Sequence, residues 1–296
     1  MLVTSAAESA RSARNVSLVS FSLGLGVLII SLLGERCLGV INALDLQYAV
    51  IASVCYLAVV LVLLMFMFRG PSFQIAIRAC FLGVVFALGV IVTLLAVSNW
   101  TVFGWYLCVL SFFHFSEYVC TSLYNAKSLS LQSFLLDHSL AYHIAAMASW
   151  VEYTLQAVLL PGMKQCIWVS GSGLALCIVG EFLRKLAMFT AGKSFNHNIQ
   201  YRKDESHVLV TQGIYAWCRH PSYVGWFLWS VGTQLILCNP LCFIAYILAS
   251  WQFFNERIQD EEMLLINFFG EHYIDYQDRV CTGLPFIHGY KMHARC

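Results

Sequence analysis

"PSYVGWFLWSVGTQLILCNPLCFIAYILASWQFFNE", residues 221–256, holds two apolar runs, 221–238 and 241–256, divided by Asn239-Pro240. Each run is barely long enough to cross a hydrocarbon core about 30 Å thick. The tight break between them predicts a helical hairpin, and Pro221 fits the first turn of a helix, where its missing N–H costs nothing. Longer apolar runs stand upstream, near 16–34, 46–68, 79–98, 101–122, 139–160 and 166–189. The 296 residues are 59% hydrophobic and only 11% charged, against about 25% charged in a soluble globular chain. The expectation is an all-α, polytopic integral membrane protein of about eight transmembrane helices that ends in the hairpin. The first run is too long for the apolar part of a cleavable signal peptide, and no clear small-residue cleavage site follows it.

The basic residues set an orientation. With eight crossings and a cytosolic start, fifteen of the seventeen Lys and Arg collect on the cytosolic side, leaving only Arg36 and Lys164 for the other. That asymmetry is a positive-inside pattern, and it predicts that both termini are cytosolic.

Several classes of function are disfavoured. A net charge of +1 gives no hint of nucleic acid. The twelve cysteines are scattered, mostly inside spans, without a C-x-x-C, so a disulfide framework is not expected. Cys238 and Cys242 flank the hairpin break and read as apolar filler. Nine histidines form neither H-E-x-x-H nor an i,i+4 pair, so no metal is expected. Cys296 closes the chain without the three further residues of a prenylation box. Gly-x-Gly at 24–26 and 171–173 lies inside apolar helices, where close helix packing explains it. No glycine-rich turn follows a strand, so a dinucleotide-type fold is excluded.

Two halves emerge. Residues 1–165 read as a housing of about five helices joined by short loops. Residues 166–296 read as the working module, because ten of the seventeen basic residues lie from Arg184 onward, with most of the acidic ones. In the housing, His114 and Glu117 are three apart and share a helix face. Ionisable groups there are functional candidates by default, although a hydrogen-bonded structural pair accounts for them too. Glu152 and Glu181 sit near span ends and read as reaching the interface.

The stretch "TAGKSFNHNIQYRKDESHVLVTQGIYAWCRHPS", 190–222, is polar and rich in donors. Free N–H groups after Pro221, with Arg219 and His220 beside them, would make an anion site. A capped membrane helix with a snorkelling arginine explains the same residues. In "NERIQDEEMLLINFFGEHYIDY", 255–276, Arg257 and Glu261 stand i,i+4 on one helical face. A solvated, charge-laced helix leaving the membrane would look like this. So would a site in which Arg257, at headgroup depth, grips a carboxylate with two parallel bonds.

Taken together, "FNHNIQ", "SHVLVTQGIYAWCRHPSYVGWF", "GTQLILCNP", "DEEMLLINFFGEHYIDY" and "TGLPFIHG" resemble the isoprenylcysteine carboxyl methyltransferase family of the endoplasmic reticulum membrane. The resemblance covers the whole chain in span layout. Cys281 departs from it, standing where family members tend to have proline. The resemblance implies methylation of the free α-carboxylate of a C-terminal farnesyl- or geranylgeranyl-cysteine, with S-adenosylmethionine as the donor. It further implies that cytosolic segments hold that cofactor through Gln200, His207, Val208, Leu209, Val210, Tyr215, His220, Pro221, Ser222, Tyr223 and Glu261. Arg257 would hold the substrate carboxylate. The implied partners are the prenylcysteine ends of CaaX-processed proteins such as small GTPases, together with membrane lipid. A sterol-reductase-like or phospholipid-methyltransferase membrane enzyme shares a similar C-terminal half, and a non-catalytic prenyl-protein receptor would bind without turnover. The paired repeats with broken midplane helices that mark a transporter are not found.

Overall fold

The computed structural model describes residues 2–38, 43–137, 139–203 and 207–291, and among them every regular element is helical. The Arg36 side chain, Arg295 and Cys296, invoked above, lie outside the described residues. The chain forms α1 (Leu2–Leu38), α2 (Ala43–Met67), α3 (Pro71–Leu95), α4 (Thr101–Tyr124), α5 (Leu140–Leu159), α6 (Ile167–Ala191), α7 (Pro221–Ile236), α8 (Pro240–Phe269) and α9 (Glu271–Arg279). Among the described residues, four helical stretches are long and apolar enough to cross a membrane: Ala6–Ser31, Gln47–Met67, Pro71–Leu95 and Thr101–Tyr124.

Two compact units are present. The first comprises Met1–Tyr142 with Thr154–Ile167. Its core joins Val16, Val60, Leu64, Ala76, Ala79, Phe115, Tyr118 and Phe134. Gly24 lets α1 approach α3 closely: a Cβ there would lie 2.2 Å from the Cys80 carbonyl. His114 is structural in its contacts, with Nδ1 2.9 Å from the Phe134 carbonyl and Nε2 2.9 Å from the Tyr142 hydroxyl. Lys164, assigned above to the non-cytosolic side, is fully buried and donates to Gln156 Oε1 at 2.7 Å.

The second unit comprises His143–Tyr153 with Trp168–Cys296. Here α6 and α7 meet backbone to backbone. A Cβ on Gly180 would lie 2.5 Å from the Gly225 carbonyl, and one on Gly173 2.4 Å from the Ile236 nitrogen. Gly171, its partner in the Gly-x-Gly, faces open space and needs no such explanation. Leu237, Cys238 and Asn239 connect α7 to α8, with Cys238 in the left-handed region at φ 49°.

Glu152 corrects the expectation that it reaches the interface. Its two carboxylate oxygens accept the N–H groups of Leu241 (2.9 Å) and Cys242 (2.7 Å) in the first turn of α8. A first turn has no intrahelical partners for its donors, and a carboxylate placed there also meets the positive end of the helix dipole. Asn239 ties the same corner to α5 by donating to the Ser149 carbonyl at 2.9 Å. Beyond the apolar run at 241–256, α8 continues unbroken to Phe269 and carries the charged residues with it.

Candidate active site

The site begins where α7 starts. His220 is the N-cap of α7, and its carbonyl accepts the N–H groups of Tyr223 (3.0 Å) and Val224 (3.1 Å). Its imidazole stacks on the Tyr223 ring at 5.4 Å between centroids and 1° between planes. Phe254 of α8 lies against Tyr223, with centroids 5.2 Å apart. These rings hold the Tyr223 hydroxyl in place. That hydroxyl donates to Glu261 Oε2 at 2.5 Å and accepts from Arg257 Nε at 2.9 Å. Arg257 Nη2 also donates to the His197 carbonyl. Arg257 and Glu261, which the i,i+4 spacing placed on one face, thus meet through a shared tyrosine hydroxyl. Arg257 Nη1 bonds nothing among the described residues, so part of the guanidinium fork is left for a planar anion.

Behind this lies a second cluster, and it overturns both readings of Arg219. The guanidinium neither faces a ligand nor snorkels to an interface. It is buried, with Nε donating to Glu262 Oε1 at 2.8 Å, Nη1 to the Gln277 and Val280 carbonyls, and Nη2 to the His288 carbonyl at 3.1 Å. Glu262 is the hub. Besides Arg219 it bonds His220 Nε2 (2.9 Å), Tyr273 Oη (3.2 Å), Gln277 Nε2 (2.8 Å) and the Tyr290 N–H (3.0 Å). Burial alone would raise the pKa of this carboxyl. The hydrogen bond and charge of His220, followed by those of Arg219, outweigh that and lower it to about 2. Glu262 therefore stays ionised and fixes His220 from behind, while His220 braces Tyr223.

The remaining expected residues are spread around these clusters. Ser222 accepts from Arg184 Nη1 on its hydroxyl at 2.8 Å, and the Arg184 guanidinium lies over Trp226 at 4.7 Å. Pro221 is buried as the first helical residue of α7. The Tyr215 hydroxyl reaches the Ala187 carbonyl at 3.4 Å, and its own carbonyl accepts from Tyr276 Oη at 2.6 Å. His207 sits edge-on to Phe269 at 5.5 Å, and Leu209 packs on the Ile266, Tyr273 and Tyr276 cluster. The Val208 N–H donates to Ser194 Oγ at 3.2 Å while its side chain is exposed. Gln200 and Val210 are half-buried. Cys281, at the departure from the family pattern, gives its carbonyl to the Arg219 N–H at 2.8 Å.

Sequence reasoning missed Glu262 and Arg184 as organising residues, and a signal for the first was present. Phe254, Ile258, Glu262 and Ile266 follow one another at i+4 and are all buried. A carboxylate on an otherwise apolar helical row is a buried carboxylate, and it needs partners.

Apolar helices that carry a braced arginine–tyrosine–glutamate group define an all-α membrane protein with a polar site suited to an anionic ligand. The comparisons narrow that class. The model of the isoprenylcysteine carboxyl methyltransferase (ICMT) family matches residues 173–267, from α6 through most of α8. Protein-S-isoprenylcysteine O-methyltransferase of Mus musculus is 52% identical over 284 residues, covering 96% of this chain and 97% of the relative. That of Tribolium castaneum is 53% identical over 77% of this chain and 82% of its own. A solved structure described as the eukaryotic intramembrane Ras methyltransferase ICMT, without a monobody, superposes with TM-score 0.90 at 47% identity. It covers 94% of this chain and 99% of that one. The chain belongs to the isoprenylcysteine carboxyl methyltransferase family.

Proposed function

We propose that this protein methylates the C-terminal α-carboxylate of farnesyl- or geranylgeranyl-cysteine on CaaX-processed proteins such as small GTPases, with S-adenosylmethionine as the donor. The observation that carries the reading is the Tyr223 hydroxyl shared by Arg257 and Glu261, in a chain of this family. The donor set fits a zwitterionic cofactor. Glu261 spends one oxygen on Tyr223, and its other oxygen, without a bond among the described residues, is available to a ligand hydroxyl or ammonium. Gln200, His207, Val208, Leu209, Val210, Tyr215, His220, Pro221, Ser222 and Tyr223 complete the proposed cofactor site.

When bound, S-adenosylmethionine supplies a methyl group activated by its sulfonium. The chain's own residues position the acceptor. Arg257 holds the substrate carboxylate through Nη1 and leaves one oxygen directed at the methyl. No base is required, because a carboxylate is ionised at neutral pH. Catalysis then rests on orientation and on exclusion of water. A prenyl tail gains about 0.8 kcal/mol per buried CH₂, so the substrate arrives within the bilayer.

In the same reading the chain crosses the endoplasmic reticulum membrane eight times, with α7 and α8 as a helical hairpin and the site facing the cytosol. Residues 1–165 form the housing and 166–296 the catalytic module. Equilibrium binding to the purified protein tests the cofactor assignment. S-adenosylmethionine should bind, and Glu261→Gln should weaken it with little change in melting. Binding of NADPH with no affinity for S-adenosylmethionine would replace this reading with a reductase.

A further inference from the structure

Among the exposed aromatic side chains of the second unit, which include Trp168 and Tyr201, Trp217 is 81% exposed and Phe286 87%, and neither meets another ring among the described residues. Phe286 is held there by construction. Its backbone lies in the left-handed region at φ 63°, which a bulky L-residue adopts only at a cost in free energy. The turn that imposes this is tightly built. Trp251 Nε1 donates to the Pro285 carbonyl at 2.8 Å, and Thr282 Oγ1 donates to the Ile287 carbonyl at 2.6 Å. Leu284 and Ile287, on either side, are buried against Phe254 and Ile258. The turn therefore seats its two aliphatic side chains inward and presents the phenyl ring outward.

Trp217 belongs to the adjoining segment. The Arg219 and His220 N–H groups donate to the Cys281 and Thr282 carbonyls at 2.8 and 3.1 Å, and Cys281 Sγ reaches the Trp217 carbonyl at 3.8 Å. Trp251, whose indole bonds the Phe286 turn, lies in the last turns of the 241–256 apolar run, just before the charges of α8 begin. Neither 211–220 nor 280–291 contains an acidic residue, and Lys291 ends the second stretch. An amphipathic indole and a phenyl ring on segments that carry no acidic residue of their own match the boundary between headgroups and acyl chains.

We propose that Trp217 and Phe286 form an interfacial anchor whose partner is the lipid surface. The anchor holds the 213–220 and 281–288 segments against the bilayer that α7 and α8 enter. It uses no residue of the proposed site, and it rests on the reading proposed above in which α7 and α8 enter the bilayer.

The test uses the full-length protein in phosphatidylcholine–phosphatidylserine nanodiscs, with and without bromine on the upper acyl chain. The chain has eight tryptophans, so the Trp217 emission is read as the difference between wild type and Trp217→Phe. Brominated lipid should remove most of that difference emission. A Phe286→Trp substitution in the Trp217→Phe background should add an emitter quenched in the same way. A separate measurement guards against disturbed folding: Phe286→Gly relieves the left-handed strain, so it should raise the melting temperature in detergent. The proposal is overturned if both emissions remain unquenched by brominated lipid, as expected of a surface that faces water or a protein partner. It is also overturned if Phe286→Gly lowers the melting temperature in detergent, since the ring would then be part of the folded core.

Discussion

Replacing Glu262 by glutamine keeps the shape of the side chain and removes its charge, which makes it the sharpest probe of the hub behind the site. Five donors converge on this carboxylate, two of them from Arg219 and His220. Glutamine offers one acceptor oxygen and turns an NH₂ toward donors that need an acceptor. It also leaves the buried Arg219 without its counter-charge, a change that typically costs about 3–5 kcal/mol. The lowered pKa leads to a similar figure. A carboxyl lowered from 4.5 to about 2 on folding contributes about 3 kcal/mol by linkage. The sign follows from a depressed folded-state pKa: the stabilisation is fully present above pH 4.5, and it is lost as the pH falls toward 2. Thermal unfolding in detergent at neutral pH and through that acid window reads both quantities. The wild type should lose stability across the window, while Glu262→Gln should start about 3 kcal/mol lower and lose that much less on acidification. Glu261→Gln is the control one residue away, and it should move stability far less. A Glu262→Gln protein that melts with the wild type and keeps its acid profile would refute the hub.

Arg257→Lys keeps the charge but loses the planar guanidinium, which bonds the Tyr223 hydroxyl through Nε and the His197 carbonyl through Nη2 while presenting Nη1. An ionic hydrogen bond is worth about 1.5–3 kcal/mol, so kcat/KM for methyl transfer should fall at least about tenfold, with cofactor affinity in calorimetry retained. Glu152→Ala removes the carboxylate that receives the Leu241 and Cys242 N–H groups, and a chemical denaturation series should report a loss of about 2–3 kcal/mol. Gly180→Ala forces a methyl to within 2.5 Å of the Gly225 carbonyl. It should destabilise by about 1–3 kcal/mol, whereas Gly171→Ala, in open space, should not destabilise the protein. Accessibility tags in the loops at 190–203 and 281–291 should report the cytosol and a tag at 162 the lumen; lumenal labelling at 203 would reverse the orientation.

The helices were legible because an apolar run bounded by Pro, Asn or Gly admits few alternatives, and the break at Asn239-Pro240 falls where α7 gives way to α8. The charge-laced helix leaving the apolar run was legible over 255–276, but its division into α8, ending at Phe269, and α9, starting at Glu271, was not, since hydropathy marks the apolar stretch and leaves helix ends unmarked. At the site, i,i+4 spacing put Arg257 and Glu261 on one face, and the structure places both on the Tyr223 hydroxyl. Spacing could not reveal that Tyr223, more than thirty residues upstream, would supply that hydroxyl. Arg219 and Glu262 were hidden for the same reason. Each reads locally as a solvated charge, and only the return of the chain through Gln277, Val280, His288 and Tyr290 buries them together. Glu152 likewise looks like an interfacial carboxylate until the first turn of α8 is set against it.

The central claim is that Arg257 presents a prenylcysteine carboxylate to an activated methyl group. The most direct measurement is transfer of labelled methyl from S-adenosylmethionine by the purified protein to N-acetyl-S-farnesylcysteine, run beside the matching C-terminal amide, which has no carboxylate. The account predicts a base-labile methyl ester on the acid, none on the amide, and a rate that collapses in Arg257→Lys. An acid left unmethylated by the folded, cofactor-binding protein, or undiminished turnover by Arg257→Lys, would contradict it.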